Sequence, residues 1–325
     1  MDKINAAVIG VGSMGKNHVR IYSEIEDVKL VAVSDINEEA KKIAEKFSCK
    51  YYKDYNEMLD KEDIDLVNIV VPTRLHCSIA LDVIKHGKHV FVEKPIADTV
   101  ENAEKIIKAA DEKQVKLAVG HIERFNPAVR KLKELLEKNT IGKIWNLTIF
   151  RKGPFPSRVR DVGVVIDLAV HDLDIMRYLL NSEISRVYAE TEKRIHTEHE
   201  DFMNALMRFE NGVVGILDTN WLTPVKIREI NINGEKGMIK ANYITQKIEI
   251  FENGFNHFNS SYPNINKMTE GNVKQIEVEK KEPLKMELES FVNAIRNNTE
   301  PLVTGRDGLM ALSLAHDILK SADRK

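Results

Sequence analysis

The chain of 325 residues is 43% hydrophobic and 30% charged, enough apolar side chain for a substantial core and too much for a disordered chain. Its 48 Lys and Arg nearly balance 50 Asp and Glu, a net charge of −2 that draws in no nucleic-acid partner. Two cysteines exclude a disulfide-stapled scaffold. The first apolar run, Ala6 to Ile9, is too short to cross a bilayer and has no basic leader, so a cytoplasmic, two-domain protein without a membrane partner is expected.

In chain order, Lys3 to Ile9 reads as a buried strand. It is followed by the glycine turn Gly10-Val11-Gly12-Ser13-Met14-Gly15 and a helix to about Ile25. Val28 to Ser34 is a second strand. Asn37 then caps a helix with Ala40, Ile43, Ala44 and Phe47 along one stripe. The alternation continues with a strand over Asp65–Val71, a helix over Thr73–His86 and a strand over Lys88–Val92. A helix opens at the capping-box spacing Asp98-Thr99-Val100-Glu101, and Lys116–Val119 is the next strand. Short apolar runs between amphipathic helices predict a doubly wound α/β domain with a parallel sheet over residues 1–120.

After Pro127 the pattern changes. A helix over Ala128–Lys138 precedes strand candidates at Ile144–Phe150, Arg186–Lys193, Phe202–Phe209, Val213–Thr219, Ile227–Ile232 and Lys247–Phe251. Several of these half-alternate, which predicts an α+β domain over 121–325 with a large, mostly antiparallel open sheet. Helices are expected at Ile166–Leu180, Glu287–Arg296 and Gly308–Ser321, and a polar loop at Asn253–Asn272.

Gly10, Gly12 and Gly15 form G-x-G-x-x-G between a strand and a helix. That is the Rossmann arrangement for close backbone approach to a pyrophosphate at a helix N-terminus. Asp35, at the end of the second strand, suits the ribose hydroxyls of NAD and opposes a 2′-phosphate, with no arginine beside it to compensate. Val71-Pro72-Thr73 ends the next strand at the crevice, where Pro72 is expected to wall the cofactor and Thr73 to cap a helix whose first turn carries His76. The expected cofactor contacts are therefore Gly10, Gly12, Ser13, Met14, Gly15, Asp35, Val71, Pro72, Thr73 and His76, joined by Glu93 and Lys94.

Glu93-Lys94-Pro95 follows the strand Lys88–Val92, and Asp167-x-x-x-His171 lies on a helix further on. With the glycine turn and Val71-Pro72-Thr73, they make the chain resemble the glucose–fructose oxidoreductase, inositol dehydrogenase and rhizopine-catabolism family. The resemblance implies an NAD-dependent dehydrogenase acting on a sugar CH–OH group, assembled as a homodimer or homotetramer through its open sheet. It implies that Lys94 lies near the reacting carbon, that Asp167 and His171 line the same pocket, and that His171 is the acid/base. The chemistry agrees, since imidazole titrates near neutrality and an ammonium ion stabilises a developing alkoxide. Asp167, His171, Asp172 and Asp174 are dense, but one helix face does not present all four, and no metal is expected; Asp172 and Asp174 are read as solvated or cap-related.

Gly120-His121-Ile122-Glu123-Arg124-Phe125-Asn126-Pro127 resembles the corresponding run in the UDP-N-acetylglucosamine 3-dehydrogenase branch, whose 3-keto product a PLP-dependent aminotransferase can consume. His121, Arg124 and Asn126 are candidate substrate contacts. Arg151, Arg158 and Arg160, in a basic turn-rich segment, are candidates to clamp a diphosphate. The alternatives are a free inositol or polyol, the UDP-sugar uronate, and a non-catalytic NAD-binding regulator.

Overall fold

The computed structural model describes residues 3–156, 162–195, 198–256 and 267–323, and separates into two compact units. The first comprises residues 1–125 and 282–313, and the second residues 126–281 and 314–325.

The first unit alternates β1 (Ile4–Ile9), α1 (Gly15–Glu24), β2 (Val28–Ser34), α2 (Ala40–Lys46), β3 (Lys50–Tyr52), α3 (Tyr55–Lys61), β4 (Leu66–Ile69), α4 (His76–Lys85), β5 (His89–Glu93), α5 (Val100–Lys113) and β6 (Leu117–Gly120). The six strands are parallel in the order β3-β2-β1-β4-β5-β6. The order reverses between β1 and β4, and the crevice at their carboxyl ends is where a doubly wound sheet takes its ligand. β4 is buried at every position, as a strand covered on both faces must be. Strand β3 and helix α3 were not anticipated. β3 is only three residues long, and α3 is capped by the Asp54 side chain, which accepts from the Asn56 N–H.

The second unit opens with α6 (Pro127–Glu137) and β7 (Ile144–Pro154). A π-helical turn at Val165–Ala169 leads into α7 (Val170–Leu180). There follow β8 (Ile184–Glu192), β9 (Phe202–Phe209), β10 (Val214–Asn220), β11 (Leu222–Gly234), β12 (Gly237–Asn242), β13 (Lys247–Asn256) and β14 (Lys267–Ile276). Their order is β14-β13-β12-β11-β7-β10-β9-β8, with β7 and β10 parallel and every other neighbouring pair antiparallel. Strict alternation of buried and outward residues along β9 shows a sheet packed on one face only. Leu147, Ile149, Leu217 and Ile230 pack there with Leu173 and Met176 of α7.

Two expectations are corrected. Residues 253–256 and 267–272 are strand rather than loop, β13 pairing antiparallel with β14 there, and the residues between lie outside the described ones. The division at residue 120 also misses a return of the chain. Helix α8 (Pro283–Arg296) buries Leu284, Leu288, Phe291 and Val292 in the first core, and α9 (Gly305–Ala322) starts in the first unit and ends in the second. The apolar stripe of α8 is visible in the sequence, but a stripe does not say which core it enters.

Candidate functional site

In the first unit, the turn after β1 has the backbone that its glycines require. Gly10 has φ +90°, and a Cβ there would stand 2.3 Å from the Val70 carbonyl oxygen. A Cβ on Gly15 would meet the Gly10 carbonyl oxygen at 1.9 Å, so α1 packs directly on the turn. At Gly12 a Cβ would meet nothing within 4 Å. The exposed backbone of Gly12 and Ser13 is therefore open to an approaching anion, with Met14 half-buried beside it.

Asp35 stands at the end of β2, with Oδ2 accepting the Val11 N–H at 2.6 Å and Oδ1 the Asn37 N–H at 2.8 Å. Its carboxylate is thus oriented toward the glycine turn, and these residues fit the ribose and pyrophosphate of a dinucleotide. Among the described residues, no three or more His, Cys, Asp or Glu side chains are grouped to hold a metal ion.

At the end of β4, Val71 and Thr73 are half-buried and Pro72 is exposed. Thr73 does not cap α4, since it opens a 3-10 turn, Thr73–Leu75, that precedes the helix. The cofactor contact expected of His76 is also corrected. The ring is buried between two backbone segments, with Nδ1 2.9 Å from the Pro95 carbonyl oxygen and Nε2 2.9 Å from that of Val71, and in its neutral form it donates its one N–H to one of the two. Burial pushes its pKa down, and the two carbonyls and the Glu93 charge offset this only in part.

Glu93 ends β5, and Lys94 follows it ahead of a cis Lys94–Pro95 bond. Burial raises the Glu93 carboxyl, but the hydrogen bond from His18 and the Lys94 charge and backbone N–H outweigh it and leave its pKa below the usual value. The His18 Nε2 contact, at 3.0 Å, was missed by sequence reasoning. A histidine three residues past the glycine turn was its signal.

His121 is fully buried after β6. Arg124 is buried too, donating to Asp307 Oδ1 at 2.8 Å and the Leu302 carbonyl at 3.1 Å. The guanidinium lies against the start of α9, and this interior brace replaces the expected ligand contact. Although burial opposes it, Arg124 together with the hydrogen bonds of Thr304 holds Asp307 below the usual carboxylate range.

In the second unit, Asn126 caps α6 by accepting the Ala128 N–H, and its amide donates to the Tyr243 carbonyl. Arg151 lies on β7 rather than in an exposed loop, with Nε and Nη2 donating to Asp172 at 2.6 and 2.8 Å. This bidentate pair is fully interior, which corrects both the anion clamp expected of Arg151 and the solvated position expected of Asp172. Asp174 is buried as well. A four-residue helix spacing shows only relative faces, and the packed sheet decides which face is interior.

Asp167 lies buried in the π turn and His171 half-buried in the first turn of α7. The wider π turn modifies the single α-helix expected over 166–180. Its opening is held by Glu200, whose backbone carbonyl accepts the Val164 N–H and whose Oε1 accepts the Val165 N–H. Arg158 and Arg160 lie outside the described residues.

Profiles of one family match both parts of the chain. The profile described as "Oxidoreductase family, NAD-binding Rossmann fold" matches residues 4–121, and "GFO/IDH/MocA C-terminal domain" matches residues 129–240. A myo-inositol 2-dehydrogenase of Thermotoga maritima is 28% identical over 98% of this chain and 96% of its own. A UDP-N-acetylglucosamine 3-dehydrogenase of Acidithiobacillus ferrooxidans is 28% identical over 97% and 96%. Its solved structure superposes with a TM-score of 0.86 at 28% identity, covering 99% and 98% of the two chains. The WlbA dehydrogenase of Bordetella pertussis, solved in complex with NADH and UDP-GlcNAcA, is 25% identical over 99% of this chain and 97% of its own, with a TM-score of 0.81.

Proposed function

The chain belongs to the GFO/IDH/MocA family of NAD-binding oxidoreductases acting on sugar CH–OH groups, and on that premise we propose that it oxidises C3 of UDP-N-acetylglucosamine to the ketone. The observation carrying this reading is the end-to-end likeness, in sequence and in fold, to a 3-dehydrogenase of that nucleotide sugar. Arg151 does not add to it, being held by Asp172, so the diphosphate must be met by other donors.

Bound NAD supplies the hydride acceptor. The chain's own residues then have three tasks. The backbone of Gly12 and Ser13 and the Asp35 carboxylate seat the dinucleotide. The Lys94 ammonium stabilises negative charge on the substrate oxygen as its proton leaves. The His171 imidazole takes that proton, with Asp167 binding a sugar hydroxyl or tuning the ring. Within this reading the carbinol proton passes to His171 and the developing negative charge is held by Lys94, while hydride acceptance is the chemistry that NAD, seated by the glycine turn and Asp35, would supply.

The second reading is a free inositol or polyol as substrate, favoured by the equal identity to a myo-inositol 2-dehydrogenase. Outward side chains of the second unit's sheet, with Tyr188, Leu206 and Ile216 in one register row, are the contact through which we expect two or four copies to assemble.

The test is NADH formation at 340 nm with UDP-N-acetylglucosamine, run beside myo-inositol and glucose, with mass spectrometry of the product and an aminotransferase present to draw off ketone. A 3-keto sugar nucleotide supports the first reading, and turnover of the free polyol alone replaces it with the second. NAD binding with no turnover of any of them marks a regulatory protein. Lys94→Ala and His171→Ala should each fold and bind NAD yet lose about 10²–10⁴-fold in turnover.

A further inference from the structure

The first unit contains a line of buried polar side chains that the glycine turn does not require. His18 and Tyr22 are one turn apart on α1, Asn68 is inside β4, and Glu93 ends β5. The first three have no exposed surface. The Tyr22 hydroxyl donates to Asn68 Oδ1 at 2.7 Å, Asn68 Nδ2 donates to His18 Nδ1 at 2.7 Å, and His18 Nε2 lies 3.0 Å from Glu93 Oε1. The other carboxylate oxygen accepts the backbone N–H of Lys94 at 3.1 Å.

The donor inventory assigns the direction of this line. A phenol donating to Asn68 Oδ1 turns the amide nitrogen toward His18, so Nδ1 accepts and the ring proton sits on Nε2, facing Glu93. Phe91 meets the imidazole edge-on at 5.5 Å, and Gly120 leaves room for the carboxylate, since a Cβ there would stand 2.9 Å from Glu93 Oε2. An apolar core of the same shape would serve folding as well, whereas a fully paired polar line selects one arrangement.

We propose that His18 is a positioning residue for Lys94, acting through Glu93. The carboxylate is gripped on one side by His18 Nε2–H and holds the Lys94 backbone N–H on the other. Asn68, fixed by Tyr22, sets the imidazole tautomer that makes this possible. The helix whose N-terminus seats the dinucleotide therefore also anchors the lysine. The functional part of this inference rests on the reading of Lys94 as the cation of the reaction.

Two near-isosteric variants separate this role from simple packing. His18→Gln keeps a donor where Nε2 stands, whereas His18→Asn keeps a polar group where Nδ1 stands and loses the donor to Glu93. Three quantities are measured: amide hydrogen exchange at Lys94, NAD affinity by fluorescence titration, and NADH formation with UDP-N-acetylglucosamine and with myo-inositol, beside Lys94→Met. In His18→Asn, exchange at Lys94 should quicken about tenfold and kcat fall about 10²-fold, with KM and NAD affinity within about threefold, as for a small misplacement of a reacting group. His18→Gln should recover most of both.

Equal impairment of the two variants, or unchanged exchange at Lys94 in His18→Asn, overturns the proposal. Normal turnover in Lys94→Met overturns the reading of Lys94 instead, and the exchange result then decides alone whether His18 holds that backbone. It also decides if neither sugar is turned over. Should His18→Asn not fold, Glu93→Gln asks the same question, because its single acceptor oxygen cannot serve both N–H groups.

Discussion

The three glycines of the turn carry different physical duties, so they should fail differently when substituted. Gly12→Ala puts a methyl into open space, so thermal stability should stay within about 0.5 kcal/mol, the usual range for a surface change. NAD affinity should nonetheless fall about tenfold, because the methyl occupies the space that lets backbone approach phosphate. Gly15→Ala drives its methyl into the Gly10 carbonyl and should lose about 1–3 kcal/mol of stability, as overpacking does. Denaturant titration beside fluorescence titration of NAD separates the two; equal behaviour would contradict this division. At this scale the sequence was most legible where chemistry depends on backbone, as in the turn and Asp35. It was least legible for long polar side chains. Arg124 and Arg151 read as ligand contacts, yet each found an internal carboxylate, Asp307 and Asp172, far away in sequence.

At the level of elements, β7 and α7 are joined by the Arg151–Asp172 pair within the second unit's core. Asp172→Asn takes the charge from the carboxylate that the buried Arg151 guanidinium grips through two hydrogen bonds, so it should cost about 3–5 kcal/mol, seen as a lower urea midpoint. A change below 1 kcal/mol would mean that water reaches Arg151. His76 gives α4 a pH-dependent hold on the segments at Val71 and Pro95. Because its folded pKa is depressed, the unfolded chain takes up a proton first as pH falls below about 6.5. The stability that His76 contributes is therefore complete above that pH and is lost as pH falls toward the folded value. The gap in urea midpoint between the native chain and His76→Gln should narrow from pH 7.5 to 5.5, and a gap that widens instead would refute this sign. Element type was readable from periodicity, but boundaries shifted where local hydrogen bonds chose the cap. The cap of α5 is Thr99, which accepts the Asn102 N–H, one residue beyond the Asp98 start of the expected capping box. The π turn at Val165–Ala169 left no periodic trace, because five residues are too few to define one.

Across the molecule, the outward row of Tyr188, Leu206 and Ile216 gives the expected assembly a direct test. Leu206→Asp should convert the oligomer to a monomer by light scattering while leaving each protomer's unfolding transition in place; an unchanged mass would move the contact elsewhere. Both sheet classes followed from apolar patterning, parallel where runs are continuous and, apart from the β7–β10 pair, antiparallel where they alternate. Strand order did not, because pairing β7 with β10 and β11 depends on contacts between distant stretches. The return of residues 282–313 to the first unit was equally hidden. That return makes the timing of synthesis matter. The glycine turn and Asp35 leave the ribosome early, but Leu284, Leu288, Phe291 and Val292 emerge only after residues 126–281 of the second unit have been made. Until then the apolar surface that α8 covers stays open to chaperones or to misassembly with other nascent chains, so the domain translated first is among the last to be finished.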